Sequence, residues 1–130
     1  MINITSEDLW HFSKSLYQHK AVETLLLSLQ QEIDMNVNLA LLCAMLNKHQ
    51  MYLSTTQINT LVNNVGDFNF SYTKKLRELR AHFKTNRALL NQYDEIRETL
   101  LKTELLLEQQ EQQMLVSTLQ QFDNLNATHS

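Results

Sequence analysis

NRALLNQYDEIRETLLKTELLLEQQEQQMLVSTLQQFD, residues 86–123, contains neither glycine nor proline, and its apolar residues recur at helical spacing. Tyr93, Leu100, Leu107 and Met114 stand seven positions apart, flanked by Leu89, Ile96 and Leu101, which is the pattern of one long amphipathic helix. A helix of about 36 residues would reach roughly 54 Å, beyond the ~30 Å diameter of a small domain. Its apolar stripe thins from Glu108 to Gln113, so that portion is expected to project into water or to lie in a partly polar oligomer seam. The shortage of breakers extends upstream. Gly66 is the only glycine in 130 residues and there is no proline, so the residues that tight β-turns and hairpins need are missing. The chain therefore reads as all-α, a compact helical bundle of five or six helices with a long C-terminal helix.

Helix boundaries follow from capping chemistry. Thr5 and Asp8 have capping-box spacing, with Ile4 and Leu9 placed to staple it. Leu9, Phe12 and Leu16 then form a core-directed stripe with Trp10 and Tyr17 on its flank. A second helix carries Val22, Leu25, Leu26, Leu29 and Ile33. Asp34 or Asn36 can cap a third, whose run from Val37 to Leu46 leaves almost no polar face, as expected of a central helix. Ser54 with Gln57, and Leu53 with Ile58, repeat the box and the staple before Leu61, Val62 and Val65. Around Gly66, Asp67 and Asn69 the pattern weakens, and it resumes at Tyr72, Leu76, Leu79 and Phe83, which predicts a break or kink near Gly66. Residues 1–123 are expected to form a single helical domain and 124–130 a frayed tail.

Composition narrows the function classes. Apolar residues at 43% and charged residues at 19% describe a globular chain rather than a disordered one. A net charge of −3 gives no global attraction to nucleic acid or to anionic lipid. Cys43 is the sole cysteine, set in an apolar run where a thiol behaves as a small hydrophobe, and it has no intrachain disulfide partner. The longest apolar stretch, Leu39 to Leu46, has eight residues against the about 20 that a membrane span needs, so no membrane association is expected. Glu7 and Asp8 stand where a secretory signal would be basic and then apolar, so a cytoplasmic location is expected.

Each chemical constellation has a plainer competitor. His19 with Glu23, and Glu78 with His82, share helical faces and could offer two metal ligands each, but neither has the Glu-x-x-His form of carboxylate-bridged bundles, and surface pairing is preferred. No metal or other cofactor is called for. Asp34 and Asn38 are candidate buried polar residues at the entrance of the third helix. Asn38 lies inside that helix and must find a partner if buried. Arg77, Arg80, Lys84 and Arg87 share a face within the basic stretch 74–87, able to meet phosphates or an acidic partner. The acids Asp94, Glu95, Glu98, Glu104 and Glu108 follow on the final helix and would neutralise that face if the helix folds back, which is the preferred outcome.

Leu9-Trp10-His11-Phe12-Ser13, then Leu16-Tyr17, Val22-Glu23, Leu29-Gln30 and Asp34-Met35-Asn36-Val37-Asn38-Leu39 form one block, and Leu76-Arg77-Glu78-Leu79-Arg80 with Lys84 a second. Together they resemble a family of short proteobacterial proteins catalogued only as a domain of unknown function, through about Leu107. The family has a proline just before the leucine of its second block, where this chain has Lys75. The resemblance implies an α-helical bacterial protein and carries over no activity, cofactor or site residue.

The function expected from these readings is a non-enzymatic, cytoplasmic protein–protein interaction module. Its candidate interaction surface comprises Arg77, Arg80, Lys84, Arg87, Leu107 and Met114, and its partner is another protein or a second copy docking on the C-terminal helix. The first alternative is a small-molecule or metal-dependent enzyme whose site is assembled between helices, for example from His11, Asp34, Asn38 and His49. The second is a nucleic-acid or ribosome-associated protein using the basic stripe.

Overall fold

A computed structural model of the chain describes residues 3–122 and the backbone of residues 126–127. Its elements run α1 (Ser6–Tyr17), α2 (Lys20–Ile33), α3 (Val37–Lys48), β1 (Met51–Tyr52), α4 (Thr55–Phe68), a π-helical turn (Asn69–Thr73), α5 (Lys74–Thr85), a 3₁₀ turn (Arg87–Leu89), α6 (Tyr93–Leu119) and β2 (Asn126–Ala127). The molecule is an all-α bundle with a long C-terminal helix. Among the described residues no helix is long and apolar enough to cross a membrane.

Both capping boxes form. Thr5 Oγ1 accepts from the Asp8 amide at 3.1 Å while Asp8 Oδ2 accepts from the Thr5 amide at 3.0 Å, and Ser54 with Gln57 does the same at 3.2 and 2.9 Å. The stapling residues Ile4, Leu9 and Leu53 are buried beside these caps. Asn36 caps α3 through its side chain on the Leu39 amide, 3.0 Å. As its composition requires, α3 is central: Leu41, Leu42, Met45 and Leu46 meet Leu9 of α1, Leu61 and Val65 of α4, and Leu115, Val116 and Leu119 of α6 in one core.

Four expectations change. Helix α4 passes through Gly66 without a break, and a Cβ there would meet nothing within 4 Å. The irregularity comes three residues later, where the Lys74 amide reaches back to the Asn69 carbonyl and one wide turn replaces a normal one. The final helix begins at Tyr93 rather than Asn86, because the Asn86 amide group turns onto the His82 carbonyl (3.1 Å) and closes α5. Its 27 residues therefore span about 40 Å. The polar stretch from Glu108 to Gln113 does not project: Glu111 and Gln112 are buried together with Leu115 and Val116 inside the single chain. Asp34 is exposed rather than buried, closing α2 in the left-handed conformation (φ 53°) and pairing with Lys74 at 3.0 Å.

Of the expected tail, Asn126 and Ala127 pair antiparallel with Tyr52 and Met51. Residues 124, 125 and 128–130 lie outside the described residues.

Candidate functional site: a polar-floored cavity between helices

On α6 the inward face at helical spacing carries Glu104, Glu108, Glu111 and Gln112. A buried carboxylate needs donors to replace water, and Glu111 has three. Its Oε1 accepts from Asn36 Nδ2 at 3.1 Å and from Asn38 Nδ2 at 3.4 Å, and its Oε2 accepts from Asn69 Nδ2 at 3.0 Å. These amides come from the cap of α3, its first turn, and the start of the π turn. Asn38 is thus buried and paired, as expected.

Glu111 also fixes the orientation of everything beside it. A carboxylate only accepts, so Asn38 must turn its Nδ2 towards Glu111 and leave its Oδ1 for Gln112. Gln112 Nε2 then donates to Asn38 Oδ1 and to Ser13 Oγ, both at 3.0 Å, while the Ser13 hydroxyl donates to the Leu9 carbonyl at 2.7 Å. The far end of the chain is Gln112 Oε1, buried and without a partner among the described residues; Thr73 Oγ1 is in the same position. Both residues are 1% exposed.

These groups line a cavity of about 1140 Å³ between α1, α2, the π turn and α6. Its walls mix the apolar Trp10, Leu27, Val37, Leu41, Leu101, Leu105 and Leu106 with the polar Lys14, Gln18, Glu23, Gln30, Lys102 and Gln109. Glu108 and Arg77 also face it. Burial pushes the Glu108 carboxyl from its ordinary 4.5 up to about 7; Arg77 pulls it down, Glu111 and Glu104 push it up again, and Arg80 opposes them. Burial likewise pushes the Tyr17 phenol up to about 12, with Glu108 and Glu23 adding to the rise and Arg77 opposing it. Glu104 is held by Arg80 in a two-pronged ion pair, whose Nη2 to Oε1 contact is 3.2 Å.

The π turn decides which residues of α5 reach this site. Tyr72, Leu76 and Leu79 continue the stripe of α4 in the sequence, yet Tyr72 and Leu79 are exposed. One extra residue in the turn moves the inward positions to Thr73, Arg77 and Arg80, which line the cavity or meet Glu104.

The other sequence-selected residues lie apart. Lys84 and Arg87 are exposed, the latter donating to the Lys84 carbonyl at 3.1 Å, while Leu107 and Met114 are half-buried. His11 lines a separate small cleft, His49 ends α3 on the surface, and neither gathers with Asn38. His19 begins α2 exposed, Glu23 lies 3.7 Å from Lys20, and Glu78 and His82 are exposed. Among the described residues no three His, Cys, Asp or Glu side chains converge on a metal-sized point. Burial raises the Cys43 thiol, in keeping with a packing role.

Glu108, Glu111, Gln112 and Thr73 were not singled out by sequence reasoning as parts of one site. The one available signal was the run of acid and amide residues interrupting an otherwise apolar helical face.

A family model described as "Protein of unknown function (DUF2390)" matches residues 8–115, a span that includes every residue lining the cavity. Nothing matches among curated proteins or among solved structures.

Proposed function

We propose, for a chain that belongs to the family of unknown function DUF2390, that it is a cytoplasmic binding protein whose inter-helix cavity holds a small organic molecule. One observation carries this reading. Thr73 and Gln112, which line a cavity large enough for a metabolite-sized ligand, each hold a buried oxygen, Oγ1 and Oε1, that has no partner among the described residues. A buried polar group costs free energy unless something completes its hydrogen bonds, and a ligand that draws these two side chains towards the cavity would do so. The π turn supports the same reading, since such turns recur where a helix is bent to serve a site. The test is a melting-shift screen of amines, acids and neutral apolar compounds on the wild type and on Leu101→Trp, which fills the cavity. A compound that stabilises the wild type and not the variant is expected. A screen without one overturns the reading.

A second reading, docking of a protein or a second copy, is favoured by the apolar side chains left open near the cavity. Leu105 and Leu106 are 50% and 64% exposed on α6, and Leu25, Leu27 and Ile33 are exposed on α2. The interaction surface is then Leu105 and Leu106, more than the half-buried Leu107 and Met114. Sedimentation across a concentration series tests it: association weakened by Leu106→Asp supports docking, and an unchanging monomer refutes self-association. The basic stripe offers less to nucleic acid, with Arg80 held by Glu104 and Arg77 turned to the cavity.

A further inference from the structure

We infer that α2 is a lid on the cavity, a rod jointed at residues 18–19 and 34–35 that closes towards α6 when the cavity is filled. The inference rests on the cavity being a ligand site, as proposed above, and concerns how that site is shut.

The rest of the wall is pinned. Glu111 ties α6 to the start of α3 and to the π turn through Asn36, Asn38 and Asn69. Gln112 ties it to α1 through Ser13, and Arg80 holds Glu104. Helix α2 has no such tie. It brings Glu23, Leu27 and Gln30 to the cavity, yet none of its 14 residues is buried, and it packs on its sequence neighbours α1 and α3. Among the described residues no side chain from Lys20 to Ile33 makes a hydrogen bond or ion pair to another element; Lys20 and Glu23 pair within the helix.

Both ends of the rod are suited to give. At its start His19 makes no side-chain cap, and at its end Asp34 holds the left-handed conformation, which costs a residue that carries a Cβ. Two positions on, Asn36 is fixed by Glu111 and by the Leu39 amide. The change from a loose helix to a pinned cap falls between them, where a few backbone angles can absorb the movement. The tether across this joint, Asp34 to Lys74 at 3.0 Å, is an exposed ion pair, weak enough to yield.

The direction of movement follows from what is left in water. Leu27 on the α2 side is 42% exposed, and Leu105 and Leu106 on the α6 side are 50% and 64% exposed. Closing over an empty hollow of about 1140 Å³ would trap a void, whereas over a filled one the same movement takes all three leucines out of water. Closure is therefore coupled to occupancy. With Glu108 ionised, Lys14, Arg77 and Lys102 balance Glu23, Glu108 and Glu111 around the cavity, so shutting it encloses no net charge.

Spin-label distances test the movement, in a Cys43→Ala background that removes the sole native thiol. Thr24→Cys with Thr103→Cys spans the cavity from α2 to α6, and Asn63→Cys with Thr103→Cys spans the packed pair α4 and α6; all three positions are exposed. The probe is the dye anilinonaphthalene sulfonate, and energy transfer from Trp10, the only tryptophan and a residue of the cavity wall, shows where it sits. With the dye bound, the α2 to α6 distance is expected to shorten by several ångströms and to narrow, while the α4 to α6 distance stays as it was. Leu27→Asp, at a position exposed enough to keep the fold, should hold the lid open and weaken the dye about tenfold, since closure would bury the new charge. Energy transfer with an unchanged α2 to α6 distance would make α2 a fixed wall and overturn the inference while the cavity reading stands. Equal shortening in Leu27→Asp would overturn it as well. If neither the dye nor any compound of the melting-shift screen is held at the cavity, both readings fall.

Discussion

Raising the pH should destabilise this protein through Glu108, by an amount that its burial sets. In the folded chain the carboxyl titrates at about 7, against 4.5 for the free group. Below the lower value both states are protonated and there is no penalty. Between the two, the unfolded chain releases its proton and the folded chain keeps it, so stability falls as pH rises and levels off above the folded value. At about 1.36 kcal/mol per pK unit, the separation corresponds to about 3 kcal/mol lost between about pH 4 and about pH 8. The groups facing Glu108 fix the sign: Arg77 and Arg80 of α5 favour the charged carboxylate, Glu104 and Glu111 of α6 oppose it, and burial outweighs them all. The assay is urea denaturation of the wild type and Glu108→Gln across this range. The substitution removes the titration and keeps the shape, so the two stability profiles should diverge by about 3 kcal/mol, with the variant gaining on the wild type as pH rises. Parallel profiles, differing by a constant offset, would refute the argument that burial governs this carboxyl.

Glu111→Gln should cost on the order of 2 to 3 kcal/mol, because a second amide would face three amide donors where a carboxylate accepts them, and denaturant midpoints measure it. Asn38→Ala should cost about 1 to 3 kcal/mol by leaving Glu111 and Gln112 each short of a partner; an unchanged midpoint would contradict the network. Gly66→Ala should stabilise the chain by about 0.5 to 1 kcal/mol, since the helix is regular there and the added methyl meets nothing, and a lower melting temperature would show otherwise. Native-state hydrogen exchange should find α2, which has no fully buried side chain, opening at several kcal/mol less than α3, where Leu42 and Leu46 are fully enclosed. Equal protection in the two helices would refute that ordering.

What could be read from residues alone was local. The Thr5 and Ser54 caps announce themselves within four positions, and the nearly unbroken apolar run of α3 leaves no face for water, so both are legible in the sequence. Asn38 was legible too, as a polar side chain with no outward face to occupy. Glu111 and Gln112 were not, because periodicity counts apolar residues and a glutamine-rich stretch scores as surface. Their partners lie far away in the chain: Asn36 is 75 residues from Glu111 and Ser13 is 99 from Gln112. The same limit hid the π turn. Counting in steps of a regular helix assigns Tyr72, Leu76 and Leu79 to the interior, and no residue between Asn69 and Thr73 marks where the count slips by one.

That slip gives the molecule an unusual genetic vulnerability. Each residue of a regular helix advances the rotation by about 100°, so losing one codon between Asn69 and Thr73 would return α5 to ordinary phase. Leu76 and Leu79 would swing towards α6, and Thr73, Arg77 and Arg80 would swing away. Such a deletion leaves the helical content and the charge of the chain almost untouched, and it trades a polar-floored hollow for an oily seam. A circular dichroism spectrum would barely register the change, yet the lining of the cavity would be rebuilt. In this bundle the phase of a single helix, more than any individual side chain, separates a protein with an interior to offer from one that is merely folded.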